Sequence, residues 1–205
     1  MSEVTNDIAA LAGFEPQETA ITVREAGAAS AVAREEAEMK SAIFLARQFP
    51  RDEAAAYTKI IKSCRRPAFA EGAMYRFPRG GQQVEGPSVQ LAREIARCWG
   101  NIRYGLRIVS VDAEMIHIRG YAYDLETNAY VEHEDKFARL VQRKRGNRTE
   151  WVPPDERDLR ELINRRGAIL VRNCILQVVP SDVVEAAIKE VHATLKRAAQ
   201  GEIEQ

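Results

Sequence analysis

The sequence is poor in the residues that build covalent or metal-held frameworks. Three cysteines (Cys64, Cys98, Cys174) and three histidines (His117, His133, His192) are scattered over 205 residues without a C-x-x-C pair. That spacing argues against a disulfide scaffold and a zinc knuckle, so the thiols read as buried and no metal is expected. No apolar run approaches the ~20 residues of a membrane span, and the opening MSEVTNDIAA lacks the basic-then-apolar layout of a signal peptide. The expectation is a cytoplasmic chain with no membrane partner. One lysine is also missing where it would matter. GQQVEGPS, residues 81–88, fits the phosphate-loop pattern G-x-x-x-x-G-K-[ST] except that Pro87 replaces the lysine. Proline brings neither charge nor amide donor, and Met74 to Arg79 is no buried parallel strand, so ATP is not expected as fuel. Pro87 suits the first turn of a helix instead.

Hydrophobic residues make up 45% of the chain, enough for one domain with extensions. Lys plus Arg and Asp plus Glu number 30 each, yet the charges are segregated. Residues 1–38 hold eight acidic side chains and two basic ones, a net charge of −6, whereas residues 139–172 hold ten basic and five acidic ones, a net charge of +5. Such polarity speaks of partners rather than fold.

Along the chain, residues 1–22 read as a mobile acidic tail and 23–72 as a helical extension. In that extension, Val23 to Phe49 forms a long helix ended by Pro50, and Asp52 caps a second through Ser63. Arg65-Arg66-Pro67 then breaks the pattern. The core spans 73–200. A hairpin from Ala73 to Val84 turns at Gly80-Gly81, and a helix from Ser88 to Trp99 is stopped by Gly100. Three strands follow: Asn101 to Val111 with Ile102, Tyr104, Leu106 and Ile108 on its dry face, Glu114 to Tyr123, and Ala129 to Val141. The last continues into a basic hairpin with its tip at Gly146-Asn147. Asp155 caps a long helix after Pro153-Pro154, and Ser181-Asp182 opens the final one. The fold class is therefore α+β: an antiparallel sheet of three or more strands with packed helices, preceded by an α-helical N-terminal region.

Two kinds of chemistry compete for the polar residues. Asp112, Asp124, Glu132, Glu134, Asp135 and Lys136 suggest a Mg²⁺-dependent nuclease, but their order and spacing fit a solvated strand edge better. The basic residues suggest a groove for single-stranded nucleic acid, in which cations follow phosphates and rings stack on bases. Arg143, Lys144, Arg145 and Arg148 on the late hairpin, with Arg165 and Arg172 stacked seven apart on the next helix, are the principal phosphate candidates. Arg76 and Arg79 on the early hairpin and Arg119 on the middle strand join them, with Tyr121, Tyr123 and Trp151 as stacking rings.

The succession V-E-G-P-S-V-x-L-A-R-E-I-A, W-G-N, three strands, the turn D-L-E-T-N and a helix with L-I-N-R-R-G-A-I-L-V-R-N-C-I resembles the single-strand annealing superfamily. That superfamily includes the eukaryotic ring-forming recombination protein and phage proteins of the Sak, Redβ and Erf kind. The resemblance spans about residues 74–180. It implies rings or filaments of identical subunits, ATP-independent pairing of complementary strands in a basic groove, and no catalytic or cofactor site. It also implies a homo-oligomer on single-stranded DNA in a bacterial host cell, with a phage exonuclease or a host single-strand binding protein as further partners. An ungapped match places Arg165 and Arg166 on the family's backbone-gripping basic pair, although helical periodicity turns Arg166 toward the core. A phage structural or scaffolding protein is the non-enzymatic alternative.

Overall fold

The computed structural model describes residues 16–146 and 148–201, and the side chains of residues 16–26, Arg79 and Arg145 lie outside that description. The chain divides into two units, the first ending at Gln48 and the second running from Phe49. In the first, α1 (Pro16–Gln48) is one continuous helix whose described side chains are mostly exposed. It begins seven residues before the expected Val23. Pro16 opens it, a position where a missing amide costs nothing, so residues 16–22 of the expected tail are helical.

In the second unit, α2 (Glu53–Cys64) starts where Asp52 accepts a hydrogen bond from the Ala55 amide at 2.9 Å. Ala56, Ile60 and Cys64 enter the main core, so α2 belongs with the unit that follows it. The expected break falls at Arg65-Arg66, and Pro67 then opens a short helix, α3 (Pro67–Ala73), again with proline at its first turn. Strands β1 (Met74–Arg79) and β2 (Gln82–Pro87) form the early hairpin, and both central residues of its turn, Gly80 and Gly81, have positive φ (57° and 80°). Pro87 closes β2, paired with Met74, rather than entering a helix. Ser88 caps α4 (Val89–Trp99), accepting from the Leu91 amide at 3.3 Å and donating to the Gly72 carbonyl at 2.7 Å.

Strands β3 (Ile102–Val111), β4 (Met115–Asp124) and β5 (Tyr130–Ala138) form an antiparallel sheet in that order. Strand β4 alternates without a fault: Ile116, Ile118 and Ala122 are buried on one face and Arg119, Tyr121 and Tyr123 turn to the other. The dry face of β3 is shorter than expected, because the register shifts between Ile108 and Ser110 and the helix above packs chiefly on β4 and β5. Ile108 is consequently 57% exposed. The third strand also stops early, at Ala138, opposite the first residue of β4. Beyond it no ladder partner remains, and β6 (Val141–Arg145) pairs only with β7 (Arg148–Val152) as a separate hairpin.

Helix α5 (Glu156–Val178) lies on the sheet, and α6 (Ser181–Ala199) returns against α2 and α3. Two glycines bring helix and sheet together. A Cβ on Gly120 would lie 2.6 Å from the Leu170 Cβ and 3.0 Å from that residue's carbonyl carbon, and Leu106 packs where Gly167 lacks a side chain. Leu162, Ile163 and Leu170 of α5 pack on Ile116, Ile118 and Phe137 of the sheet. The larger core joins Val171 and Ile175, toward the C-terminal end of α5, to Ile60, Leu91, Ile95 and Val191. All three cysteines are free and buried, and burial pushes the Cys64 thiol up to about 12. Among the described residues no single helix is long and apolar enough to cross a membrane.

Candidate nucleic-acid interface

Helix α5 begins where Asp155 accepts from the Asp158 amide at 2.8 Å. That amide is the main cause of the lowered pKa of the Asp155 carboxyl, with Arg143 assisting against desolvation. With one face given to the sheet, Asp158, Glu161, Arg165, Ala168, Ile169 and Arg172 recur at three- and four-residue steps and make a single outer stripe. Hairpins wall both ends of it. At the N-terminal end, Trp151 and Gln142 of the late hairpin face Asp158, Leu162 and Arg165 across a groove of about 610 Å³. At the C-terminal end, Tyr75 and Phe77 of the early hairpin face Ile169 and Arg172 across one of about 440 Å³.

Rings on the hairpins flank the two cations of this stripe. Trp151 is 62% exposed beside Arg165, and Arg172 lies seven residues further, a rise of about 10 Å. The Arg172 guanidinium sits 5.0 Å over the Tyr75 ring and donates to the Asn173 side-chain oxygen at 3.0 and 3.1 Å. Tyr75 and Phe77 stack at 5.8 Å, one residue apart on the same strand face. Sequence reasoning missed these two rings, although their i, i+2 spacing beside a Gly-Gly turn is a usable signal.

The other candidate cations divide by partner. Arg143 donates to Asp155 at 3.0 Å and Asp158 at 2.5 Å, which ties the late hairpin to the first turn of α5 and leaves less of its charge for a ligand. Lys144 and Arg148 are exposed on that hairpin and have no ion pair among the described residues. Arg145 and Arg79 fall outside the described side chains. Arg166 turns toward the sheet, as its periodicity requires, where it donates to Asp135 at 3.3 Å and covers the Phe137 ring at 4.9 Å. Arg76 spans its hairpin to Glu85 at 3.2 Å. Arg119 bonds Glu134 on the sheet face away from α5, so it is not brought together with the groove. Its hydrogen bond, with one from His117 at 3.0 Å, lowers the pKa of Glu134.

The acidic candidates have local tasks. Asp112 accepts from the Glu114 and Met115 amides at 2.9 and 2.6 Å and so closes the β3–β4 turn. Glu132 receives the Tyr130 hydroxyl at 2.7 Å. Among the described residues no three His, Cys, Asp or Glu side chains gather as a metal would require.

Asp124 belongs to a buried network that the sequence did not reveal. The Arg51 guanidinium bonds both Asp124 and, at 2.8 Å, Glu126, while lying 5.2 Å over Trp99. Asn101, at φ +52°, donates to Glu126 at 2.6 Å and to the Phe49 carbonyl at 3.1 Å. Desolvation raises the pKa of the Glu126 carboxyl, but these donors outweigh it and the net shift is downward. Thus the W-G-N and D-L-E-T-N segments are pinned to one arginine. Their role here is to fix the sheet's edge against the helices. No family model, no curated protein and no solved structure matches the chain.

Proposed function

We propose that the chain binds single-stranded DNA along the outer face of α5 and, as a homo-oligomer, anneals complementary strands without nucleotide hydrolysis. The observation that carries this reading is the stripe on α5. Arg165 and Arg172 share one helix face, with exposed Trp151 at one end and stacked Tyr75 and Phe77 at the other. Cations at this spacing serve a phosphate backbone, and the rings offer stacking to any base, so binding is sequence-tolerant. Two further features support it. The order early hairpin, α4, three-stranded sheet, α5 is the order in which residues 74–180 resemble the single-strand annealing superfamily. Strand β3 is also an edge that exposes Ile108, Val109 and Val111, a surface suited to association between copies.

No covalent step is required of the protein. Duplex stacking yields ~1.4 kcal/mol per base-pair step, so pairing is downhill once register is found. Holding strands extended on repeated weak sites lowers the barrier to that search. The test is annealing of two complementary oligonucleotides without nucleotide, comparing wild type with Arg165→Ala/Arg172→Ala. The variant is expected to lose most of the acceleration, and its single-strand affinity to depend less on salt, with a log–log slope shallower by about 1.4 for two lost phosphate contacts. Acceleration equal to wild type would overturn the assignment.

A further inference from the structure

A second concentration of positive charge lies away from α5. The C-terminal turns of α2 and α4 enclose a cleft of about 540 Å³ lined by Lys59, Lys62, Arg65, Arg66 and Arg97, with Ser63 and Cys98 as its floor. Its lining contains no carboxylate. Just outside it, Glu94 accepts from Arg66 at 2.9 Å and from Arg97 at 2.7 and 2.8 Å, and Glu190 accepts from Arg65 at 3.1 Å and Arg197 at 2.9 Å. Each carboxylate thus serves two guanidinium groups and neutralises the charge of one. Lys59 and Lys62, both exposed, have no ion pair among the described residues. Five cations line the opening against two carboxylates beside it, so even with both counted in full three positive charges stand uncompensated there.

Helix dipoles account for part of this, since Lys62 and Arg97 occupy last turns where cations are favoured. They do not account for convergence. Lys59 and Lys62 lie three residues apart on α2, and Arg66, beyond the end of α2 and just before α3, is fixed by lying 5.2 Å over Phe69. The two carboxylates hold the guanidinium groups in place while leaving Arg65, Arg66 and Arg97 more than half exposed. A pre-organised, outward-facing set of donors is what a chain of phosphates requires. An acidic peptide would in addition need an apolar pocket for an anchoring side chain, and the floor offers only a serine and a buried thiol.

We propose that this cleft is a second binding site for the phosphodiester backbone of nucleic acid, sharing no residue with the α5 groove and independent of what that groove does. The test is fluorescence anisotropy of a labelled oligothymidylate on the full chain across a salt series. Wild type is compared with Lys59→Gln/Lys62→Gln, with Arg165→Ala/Arg172→Ala, and with all four substitutions together. Glutamine keeps helix propensity, and an unchanged melting curve checks the fold. The lysine variant should bind with a salt slope shallower by about 1.4, and its loss should add to that of the arginine variant. Affinity and slope equal to wild type in the lysine variant would overturn the proposal, whatever the arginine variant does. Competition at the cleft by polyglutamate, with DNA affinity untouched by the lysine substitutions, would assign the surface to an acidic protein and overturn it equally.

Discussion

Arg51→Ala removes a cation from a site where its side chain is 6% exposed and that of Asp124 only 3%. Asp124 would keep the Glu126 and Thr127 amides at 3.0 and 3.3 Å but lose its counter-charge, and Glu126 would keep Asn101 and the backbone amide of residue 51. Removing one member of a buried ion pair costs about 3–5 kcal/mol, because the survivor stays desolvated and unpaired. Whole domains are stable by only about 5–15 kcal/mol. For a unit of this size each kcal/mol moves the melting temperature by roughly 2–4 °C, so a fall of about 6–20 °C is expected. Thermal denaturation followed by circular dichroism reads it. Arg157→Ala is the internal reference, since Arg157 and Glu161 are 84% and 65% exposed and their pair at 3.1 Å contributes little. Asp124→Asn placed on Arg51→Ala should recover part of the loss by removing the stranded charge. An Arg51→Ala protein that melts like Arg157→Ala would refute the reasoning.

Gly120→Ala should destabilise by about 1–3 kcal/mol, because the new methyl meets the α5 backbone at Leu170 rather than a movable side-chain tip; a urea midpoint equal to wild type would count against the close helix–sheet approach. The Arg97 hydrogen bonds hold the Glu94 carboxyl down at about 2, against an ordinary 4.5. A depressed carboxylate stabilises above its unfolded pKa and loses that contribution as pH falls through the folded one. The difference in urea midpoint between wild type and Arg97→Ala should therefore be constant above pH 4.5 and shrink toward pH 2. A difference that grows on acidification would contradict the assigned pairing.

The elements legible in the sequence were those specified locally. Asp52, Ser88 and Asp155 cap helices within three residues of themselves, Gly80-Gly81 turns its own hairpin, and β4 carries its burial as a strict alternation. Pro67 was ambiguous because the same ring that ends one helix can open the next. The extent of the β3 dry face depended on where α5 would lie, which no feature of β3 records. Charge partners were least legible. Arg51 meets its carboxylates across 73 and 75 residues, and Arg166 meets Asp135 across 31. The same limit applied to the groove: the stripe on α5 could be read from periodicity, but not that Tyr75 and Phe77 would close its far end.

The central claim is that a single strand lies along α5 between the two hairpins, and photo-crosslinking of a 4-thiothymidine oligonucleotide followed by peptide mapping tests it most directly. Adducts are predicted on peptides containing Trp151 and on those containing Tyr75 or Phe77, both lost in Arg165→Ala/Arg172→Ala. Adducts confined to peptides that contain none of these rings would contradict the account.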